Sequence, residues 1–182
     1  MARAAWLASL LLLAAAWTAH AQQRAEAPEA SVKAAYLFKF AGYIEWSPSE
    51  FDAPEAPLVL AVSGADDVAA ELARIASARS ILGHPVTVRK LAEGEPLKGV
   101  HMLFAGKDSP RLAALLRSAP AQGTIAVTDV ERGLEMGAAI DFVSVGDRLG
   151  FEVSLDSAAK SGHKISSRML NVARRVLPRS AG

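Results

Sequence analysis

Apolar runs and amphipathic stretches alternate along this chain in the order that a mixed α/β domain requires. Apolar residues recur at spacings of three and four between Val32 and Ile44, which predicts an amphipathic helix with one broad buried face. Six further runs, bounded by glycine, proline or polar residues, have the length and composition of strands. They cover residues 58–62, 86–88, 100–105, 124–128, 139–143 and 149–155.

Helix signals separate these strands. An acidic residue, Asp66 or Asp67, is expected to cap one helix, and Ser109 before a proline is expected to cap another. The last two strands form a predicted β-hairpin, and a final helix is expected over residues 166–177. The order predicts a single α/β domain in which helices cover a mixed sheet, with an N-terminal helix and a late β-hairpin followed by a C-terminal helix.

The first 21 residues have the three parts of a secretory signal peptide. Arg3 is their only charge, an apolar run follows, and Ala19 and Ala21 supply the small residues of a cleavage site. The apolar run is shorter than the roughly 20 residues that span a bilayer core, so we predict cleavage and export to the periplasm. The expected domains are a signal peptide at 1–21, a polar arm at 22–30, an α/β domain at 31–177 and a tail at 178–182.

Composition excludes several kinds of partner and site. The chain has 20 Lys and Arg residues and 19 Asp and Glu residues, and cleavage would remove Arg3 and no acid, which leaves a neutral domain. A neutral domain has no electrostatic footprint for nucleic acid or anionic lipid. No second long apolar run follows, so we expect no membrane insertion. Cysteine is absent, which excludes disulfides, thiol catalysis and Cys-ligated metals.

Motifs for catalysis and metal binding are missing from the sequence. His84, His101 and His163 lie in separate predicted elements without ligand spacing, so a metal site would require them to meet through the tertiary structure. Neither a nucleophile elbow nor a phosphate-binding loop occurs. We therefore expect a protein that is not an enzyme and that holds no cofactor or metal.

Residues suited to recognition cluster at the end of the first predicted helix. Tyr43, Glu45 and Trp46 follow one another closely there, and Phe51 completes the cluster. Core packing is one interpretation of these aromatic residues, and a partner or ligand surface is the other, because Trp, Tyr and Arg dominate binding hot spots. Arg148 at the predicted hairpin and His163 before the last helix are further candidates. The candidate binding residues are thus Tyr43, Glu45, Trp46, Arg148 and His163.

Two segments carry a resemblance to a known family. The first has KAAY at 33–36 and EW at 45–46, and the second has RLGFE at 148–152 and KISSRML at 164–170. In this order and spacing, residues 31–177 resemble the YfiR-like family of exported bacterial proteins. The chain departs from the family where Val100 stands in place of a common cysteine, so control through a disulfide is not available to it.

The resemblance implies a regulatory role without catalysis. YfiR-like proteins repress a membrane-bound diguanylate cyclase by contact with its periplasmic sensor domain, and release of the cyclase raises cyclic di-GMP and favours biofilm. The implied partner is the periplasmic domain of an inner-membrane diguanylate cyclase or a related sensor. Whether the protein also forms a homodimer is left open by the sequence. Two alternatives remain: a periplasmic small-ligand sensor or carrier, which a deep pocket lined by Trp46 or Arg148 would favour, and a hydrolase, which titratable groups meeting in a cleft would favour.

Overall fold

The computed structural model describes residues 29–146 and 148–179, and the predicted signal peptide with its cleavage site lies outside them. Five α-helices lie in these residues: α1 (29–41), α2 (Asp66–Ala76), α3 (Leu112–Ser118), α4 (Leu155–Lys160) and α5 (Ser167–Leu170). Two short 3₁₀ turns cover Pro48–Glu50 and Pro120–Gln122. None of the helices in this part of the chain is long and apolar enough to cross a membrane.

Ten strands accompany these helices in the described residues. They are β1 (Ile44–Glu45), β2 (Leu58–Ser63), β3 (Ser80–Ile81), β4 (His84–Lys90), β5 (Met102–Ala105), β6 (Ile125–Thr128), β7 (Ile140–Val145), β8 (Arg148–Ser154), β9 (Lys164–Ile165) and β10 (Arg175–Leu177). Eight of them form one sheet in the order β10-β8-β7-β6-β5-β2-β4-β3, and β1 pairs with β9 in a separate two-stranded ribbon.

The central strands of the large sheet are parallel, and its flanks are mixed. Strands β4, β2, β5, β6 and β7 run parallel to one another, whereas β8 is antiparallel to β7 and β3 is antiparallel to β4. The chain runs from β2 to β4 on one side and then crosses to β5 on the other, so the strand order reverses between β2 and β5. This doubly wound arrangement confirms the predicted α/β domain with a mixed sheet.

Hydrophobic clusters cover both faces of the sheet. On one face, α1 and α2 pack through Leu37, Phe40 and Leu72 against strand residues such as Phe104 and Phe142. On the other face, Leu116 of α3 joins a smaller cluster. Two faces of buried apolar residues explain why the central strands are continuous apolar runs in the sequence.

The first helix buries a different stripe from the expected one. Ala34, Leu37 and Phe40 are fully or almost fully buried, whereas Val32 is 43% exposed and Tyr43 is 39% exposed. Small alanines on the buried side allow close approach of α1 to the sheet, and they carry little weight in a hydrophobicity pattern. The helix was thus predicted correctly, and Ile44 after it is buried as expected, but Val32 was wrongly placed on the buried face.

The C-terminal helix is present but shorter than the pattern predicts. It ends at Leu170, and residues 175–177 form β10, which pairs in parallel with β8. The Arg174 N–H donates to the Phe151 carbonyl over 2.8 Å, and Arg175 forms an ion pair with Glu152. The open edge of β8 supplies backbone hydrogen bonds to this segment. A longer helix would have had to bury Val172, which is instead 70% exposed.

Both expected helix caps are also wrong. Helix α2 begins at Asp66, so its N-cap residue is Ala65, which makes no side-chain hydrogen bond. Helix α3 begins at Leu112, so its N-cap residue is Arg111 and not Ser109. The Ser109 hydroxyl lies 2.8 Å from that of Ser63 instead. The loops after β2 and β5 pack against each other so closely that a Cβ on Gly64 would lie 2.0 Å from the Ser109 nitrogen.

Candidate functional site

Three histidines from distant parts of the sequence meet at the edge of the sheet where the parallel strands begin. The Phe51 ring stacks on His84 at 3.7 Å between centroids and on His101 at 4.8 Å. Trp46 packs edge-on against His163 at 4.8 Å and against His101 at 5.8 Å. We call Trp46, Phe51, His84, His101 and His163 the histidine cluster. Sequence spacing indicated only the proximity of Trp46 to Phe51, because the three histidines come from three other segments of the chain.

Glu50 fixes His163 in the cluster. The Ser47 N–H donates to one carboxylate oxygen of Glu50 over 2.9 Å, in a capping box that orients the Pro48–Glu50 turn. The other oxygen of Glu50 lies 2.8 Å from Nε2 of His163, whose side chain is only 1% exposed. A buried ring nitrogen with a carboxylate partner is satisfied, so Glu50 and His163 act as one structural unit.

The other two histidines hold the strand starts. Nδ1 of His101 accepts the Val59 N–H at 3.1 Å, and Nδ1 of His84 lies 2.8 Å from the Ala56 carbonyl. Burial lowers the pKa of His101 and outweighs the opposing influence of Glu50, so His101 is a neutral acceptor at neutral pH. Both rings therefore order the entry into β2.

A cavity opens beside the histidine cluster. Its volume is about 490 Å³, and its lining consists of Trp46, Pro48, Phe51, Asp52, Ala53, Pro54, Leu82 and His84. Trp46 is held in place because its Nε1 donates to the Ala41 carbonyl over 2.8 Å. Trp46 thus packs partly against the core and also forms one wall of the cavity. Its position is compatible with both interpretations of this residue, core packing and a binding surface.

Leu82 is the most exposed large hydrophobic residue of this face. It is 66% exposed and has a φ of +52°, and Gly83 after it has a φ of +90°. Two successive positive φ values make the tight hairpin turn between β3 and β4, in which Asn and Gly are the usual residues. A leucine in the left-handed region costs roughly 1–3 kcal/mol. The Leu82 side chain gains little burial in return, since it lies largely in solvent.

Four of the five predicted binding residues lie together, and one does not. The pairing of β1 with β9 places Glu45 opposite Lys164 and so brings Tyr43 and Trp46 close to His163. Tyr43 and Glu45 are exposed beside the cluster. Arg148 begins β8, which runs against the parallel strands, so it lies at the opposite edge of the sheet. Arg148 therefore belongs to a different surface.

A family comparison covers nearly all of the residues that the structure describes. A family model described as YfiR/HmsC-like matches residues 30–174. The chain belongs to the YfiR/HmsC-like family. A search of curated proteins finds no match.

The two segments that carry the YfiR-like motifs meet at the histidine cluster. The Ser166 N–H donates to the Tyr43 carbonyl over 2.8 Å, next to the pairing of Ile44 with Ile165. Trp46 from the first segment contacts His163 from the second. Glu45, Trp46 and the motif at 164–170 of this YfiR-like chain therefore build one face, whereas Lys33 and Arg148 lie at the opposite end of the sheet.

One contact chain in the YfiR-like cluster has the composition of a hydrolytic triad. Ser161 Oγ lies 3.2 Å from Nδ1 of His163, whose Nε2 contacts Glu50. The Ser161 hydroxyl, however, donates to the Ala158 carbonyl over 2.8 Å and belongs to a residue that is 5% exposed. Its proton is engaged and a substrate has no access to it, so the geometry is structural. Nor do the described residues include a group of three or more side chains that could hold a metal.

A second cavity lies at the opposite edge of the sheet, where the strand order reverses between β2 and β5. It has a volume of about 790 Å³ and contains Lys33, Asp129, and the loops at 64–68 and 106–108. Lys33 forms ion pairs with Asp129 at 2.6 Å and with Glu29 at 2.7 Å. Burial lowers the pKa of Lys33, but these two carboxylates outweigh burial and raise it overall. The reversal point is the usual ligand position in such sheets.

Proposed function

We propose that this protein represses a membrane-bound diguanylate cyclase in the periplasm by binding the cyclase's periplasmic sensor domain, and so lowers cyclic di-GMP. Membership of the YfiR/HmsC-like family supports the regulatory role. The surface that we assign to the contact is the recognition face, which consists of Trp46, Phe51, Leu82 and the loop at 48–54.

The exposed, strained Leu82 is the observation that carries this choice of surface. An apolar side chain kept at 66% exposure in a φ > 0 turn weakens the isolated domain, and a partner that buries the side chain would supply a compensating benefit. Leu82 borders a cavity with two aromatic walls, Trp46 and Phe51. Aromatic residues beside an apolar anchor are typical of binding hot spots.

Charges around the face indicate what the partner surface offers. Asp52 and Glu55 are exposed in the loop beside the aromatic residues, Glu45 lies opposite the exposed Lys164, and no lysine or arginine is among the described residues that line the cavity. An apolar centre with an acidic rim is complementary to an apolar knob surrounded by basic residues, because opposite potentials steer encounter and disfavour wrong partners. We therefore expect the cyclase sensor domain to present such a knob.

Small-ligand sensing is a second candidate function, and the cavity beside Trp46 favours it. Its volume of about 490 Å³ lies within the usual range for small-molecule pockets. A ligand there would compete with the cyclase for Trp46 and Phe51. It would release the cyclase only if it binds the free repressor better than the complex, so sensing and repression use the same face.

Cyclic di-GMP levels in a deletion strain test the proposal. We expect the level to rise on deletion and to return when the wild-type gene is restored. Leu82→Asn, which suits a left-handed turn, should not restore repression. Val145→Asn removes another exposed apolar side chain, at the opposite edge of the sheet, and should restore it. An unchanged level on deletion would contradict the function, and full repression by Leu82→Asn would contradict the assigned face.

A further inference from the structure

The recognition face rests on the histidine cluster. Phe51, one of its aromatic residues, stacks on His84 at 3.7 Å and on His101 at 4.8 Å between ring centroids. The backbone of the loop that carries Phe51 is bonded to itself, because the N–H groups of Glu50 and Phe51 donate to carbonyls three residues earlier in the same loop. The position of this loop therefore depends on its side-chain contacts with the imidazole rings.

His101 packs against Phe51 and fits the cluster only as a neutral ring. The residue is 7% exposed, and its Nδ1 accepts the Val59 N–H over 3.1 Å. Its Nε2 is buried near the Glu50 backbone but makes no hydrogen bond of normal geometry. A protonated imidazole donates from both nitrogens, so a proton on Nδ1 would set two donors against each other and break the bond to Val59. The closed cluster thus disfavours the charged form of His101.

The charged groups around His101 do not compensate for an added proton. Its titratable neighbours are Glu50 of the 48–50 turn, His84 of β4 and His163 before β9, with Asp52 in the loop beyond. The neighbouring strands β2 and β6 contain no charged residue. Burial lowers the pKa of His101 more than Glu50 raises it, and the two other histidines lower it further. Since the Glu50 carboxylate already contacts His163 at 2.8 Å, a charge on His101 requires water for its stabilisation.

We propose that the histidine cluster is a proton-sensitive switch for the recognition face. In mildly acidic medium His101 takes up a proton from the solvent, its bond to Val59 breaks, and the loop at 48–54 moves away with Phe51 so that water reaches the imidazolium. The aromatic walls of the recognition face then separate, and the partner loses its binding surface. Release of the cyclase by acid rests on the proposed function, whereas the opening of the loop is a property of the free protein.

Acid favours the open form because that form binds more protons. In the open form His101 meets water and its pKa comes close to the ordinary value of 6.5, whereas burial lowers that pKa in the closed form. Above pH 6.5 neither form is protonated, so opening does not depend on pH. Below it, the ratio of open to closed molecules rises by up to about ten-fold per pH unit, until the closed form is itself protonated.

Hydrogen exchange of the free protein from residue 22 tests the opening without a partner. The protection factor of the Val59 N–H, which corrects for the intrinsic pH dependence of exchange, should fall by about ten-fold or more from pH 7.5 to pH 5.0. His101→Asn keeps an oxygen that can accept this N–H but cannot be protonated near neutral pH, so it should show no such fall. The Phe104 N–H in the centre of the sheet reports global unfolding and should not follow Val59.

Asp141→Asn is the matched control for a second group that titrates near neutral pH. Asp141 lies at the opposite edge of the sheet, where its Oδ2 accepts the Gly133 N–H over 2.9 Å and burial raises its pKa to about 7. This variant should keep the wild-type fall in Val59 protection. The switch is wrong if wild-type protection of Val59 is equal at both pH values, if folded His101→Asn shows the same fall, if Asp141→Asn abolishes it, or if Phe104 loses protection in parallel.

Circular dichroism shows first that the variants are folded at both pH values. Should His101→Asn not fold, an NMR titration of the His101 ring in wild type decides in its place. Protonation of the ring must then follow the same pH curve as the loss of Val59 protection, and a ring that stays neutral down to pH 5.0 while protection falls would overturn the switch.

Binding to the purified periplasmic domain of a membrane-bound diguanylate cyclase encoded in the same genome separates the switch from the proposed function. For wild type, the Kd at pH 5.0 should be about five-fold or more above the Kd at pH 7.5, and for His101→Asn the two values should agree. Absence of binding at pH 7.5 would contradict the proposed function and leave the exchange result standing. Equal binding of wild type at both pH values, or weakening that persists in His101→Asn, would contradict the switch.

Discussion

Asp141→Asn should stabilise this protein at alkaline pH and have little effect at acidic pH. Asp141 is buried with one oxygen unpaired, and burial is the main reason that its pKa rises from 3.8 to about 7. Asparagine keeps an oxygen that accepts the Gly133 N–H, but it carries no charge at any pH. The substitution therefore isolates the cost of ionising one carboxylate in this position.

The size of the effect follows from proton linkage. Between pH 3.8 and 7 the folded state holds a proton on Asp141 that the unfolded chain has released, so the free energy of unfolding falls as the pH rises. Each pH unit in this window costs about 1.4 kcal/mol. The protonated form thus contributes stability that is fully present below pH 4, and about 4 kcal/mol of it is lost by pH 8. Such a loss is large against a total of roughly 5–15 kcal/mol for a single domain.

Urea unfolding at pH 4 and at pH 8 measures this difference. Wild type and Asp141→Asn are compared at each pH. Circular dichroism and the fluorescence of Trp46, the single tryptophan after residue 21, monitor the unfolding. Titrations of all other groups cancel in the comparison, and Asp108→Asn is the control for an exposed acid. The difference in the free energy of unfolding, Asp141→Asn minus wild type, should be about 4 kcal/mol larger at pH 8 than at pH 4. A gain below about 1.5 kcal/mol would refute the reasoning.

Three further predictions concern the core, the histidine cluster and export. Phe40→Ala should lower the free energy of unfolding by roughly 3–5 kcal/mol, because Phe40 is 2% exposed and its ring contacts three other aromatic rings. A loss below about 1 kcal/mol would show that the core is misplaced. Glu50→Ala should lower the free energy of unfolding by about 1–3 kcal/mol, because it leaves Nε2 of His163 buried without its partner. The control Glu55→Ala, on the exposed loop, should change the free energy of unfolding by no more than about 0.5 kcal/mol. N-terminal sequencing of periplasmic protein should begin at Gln22, and a start at Met1 in a membrane fraction would contradict export.

The order of elements was predictable because each central strand is apolar on both faces. Runs such as 58–62 and 124–128 can be strands only if helices cover both sides, and the structure confirms this arrangement. The end of the chain was not predictable in the same way. Residues 166–177 fit a helix locally, but the open edge of β8 captures residues 175–177 as β10. Such edge pairing depends on which backbone groups remain free, which sequence periodicity does not encode.

Prediction of the site was partial for a similar reason. Proximity along the chain places Glu45 next to Trp46, and His163 was a candidate from its position before the last predicted helix, but nothing in the sequence joined it to them. Nothing in the sequence indicated that His84 and His101 would join them, because three strand starts meet only once the sheet has formed. Arg148 was attractive as a hairpin arginine, but the antiparallel direction of β8 sends it to the other edge. The isolated pair Leu82-Gly83 was a usable signal, since leucine before glycine in a two-residue turn is unusual.

Direct binding between two purified proteins tests the central claim most sharply. The protein from residue 22, the predicted mature start, is immobilised and titrated with the purified periplasmic domain of a membrane-bound diguanylate cyclase encoded in the same genome. We expect saturable binding that Val145→Asn leaves unchanged and that Leu82→Asn weakens by about ten-fold or more, since a buried hot spot contributes roughly 2 kcal/mol. Absence of binding to every such cyclase domain, with wild-type protein that is folded, would contradict the account.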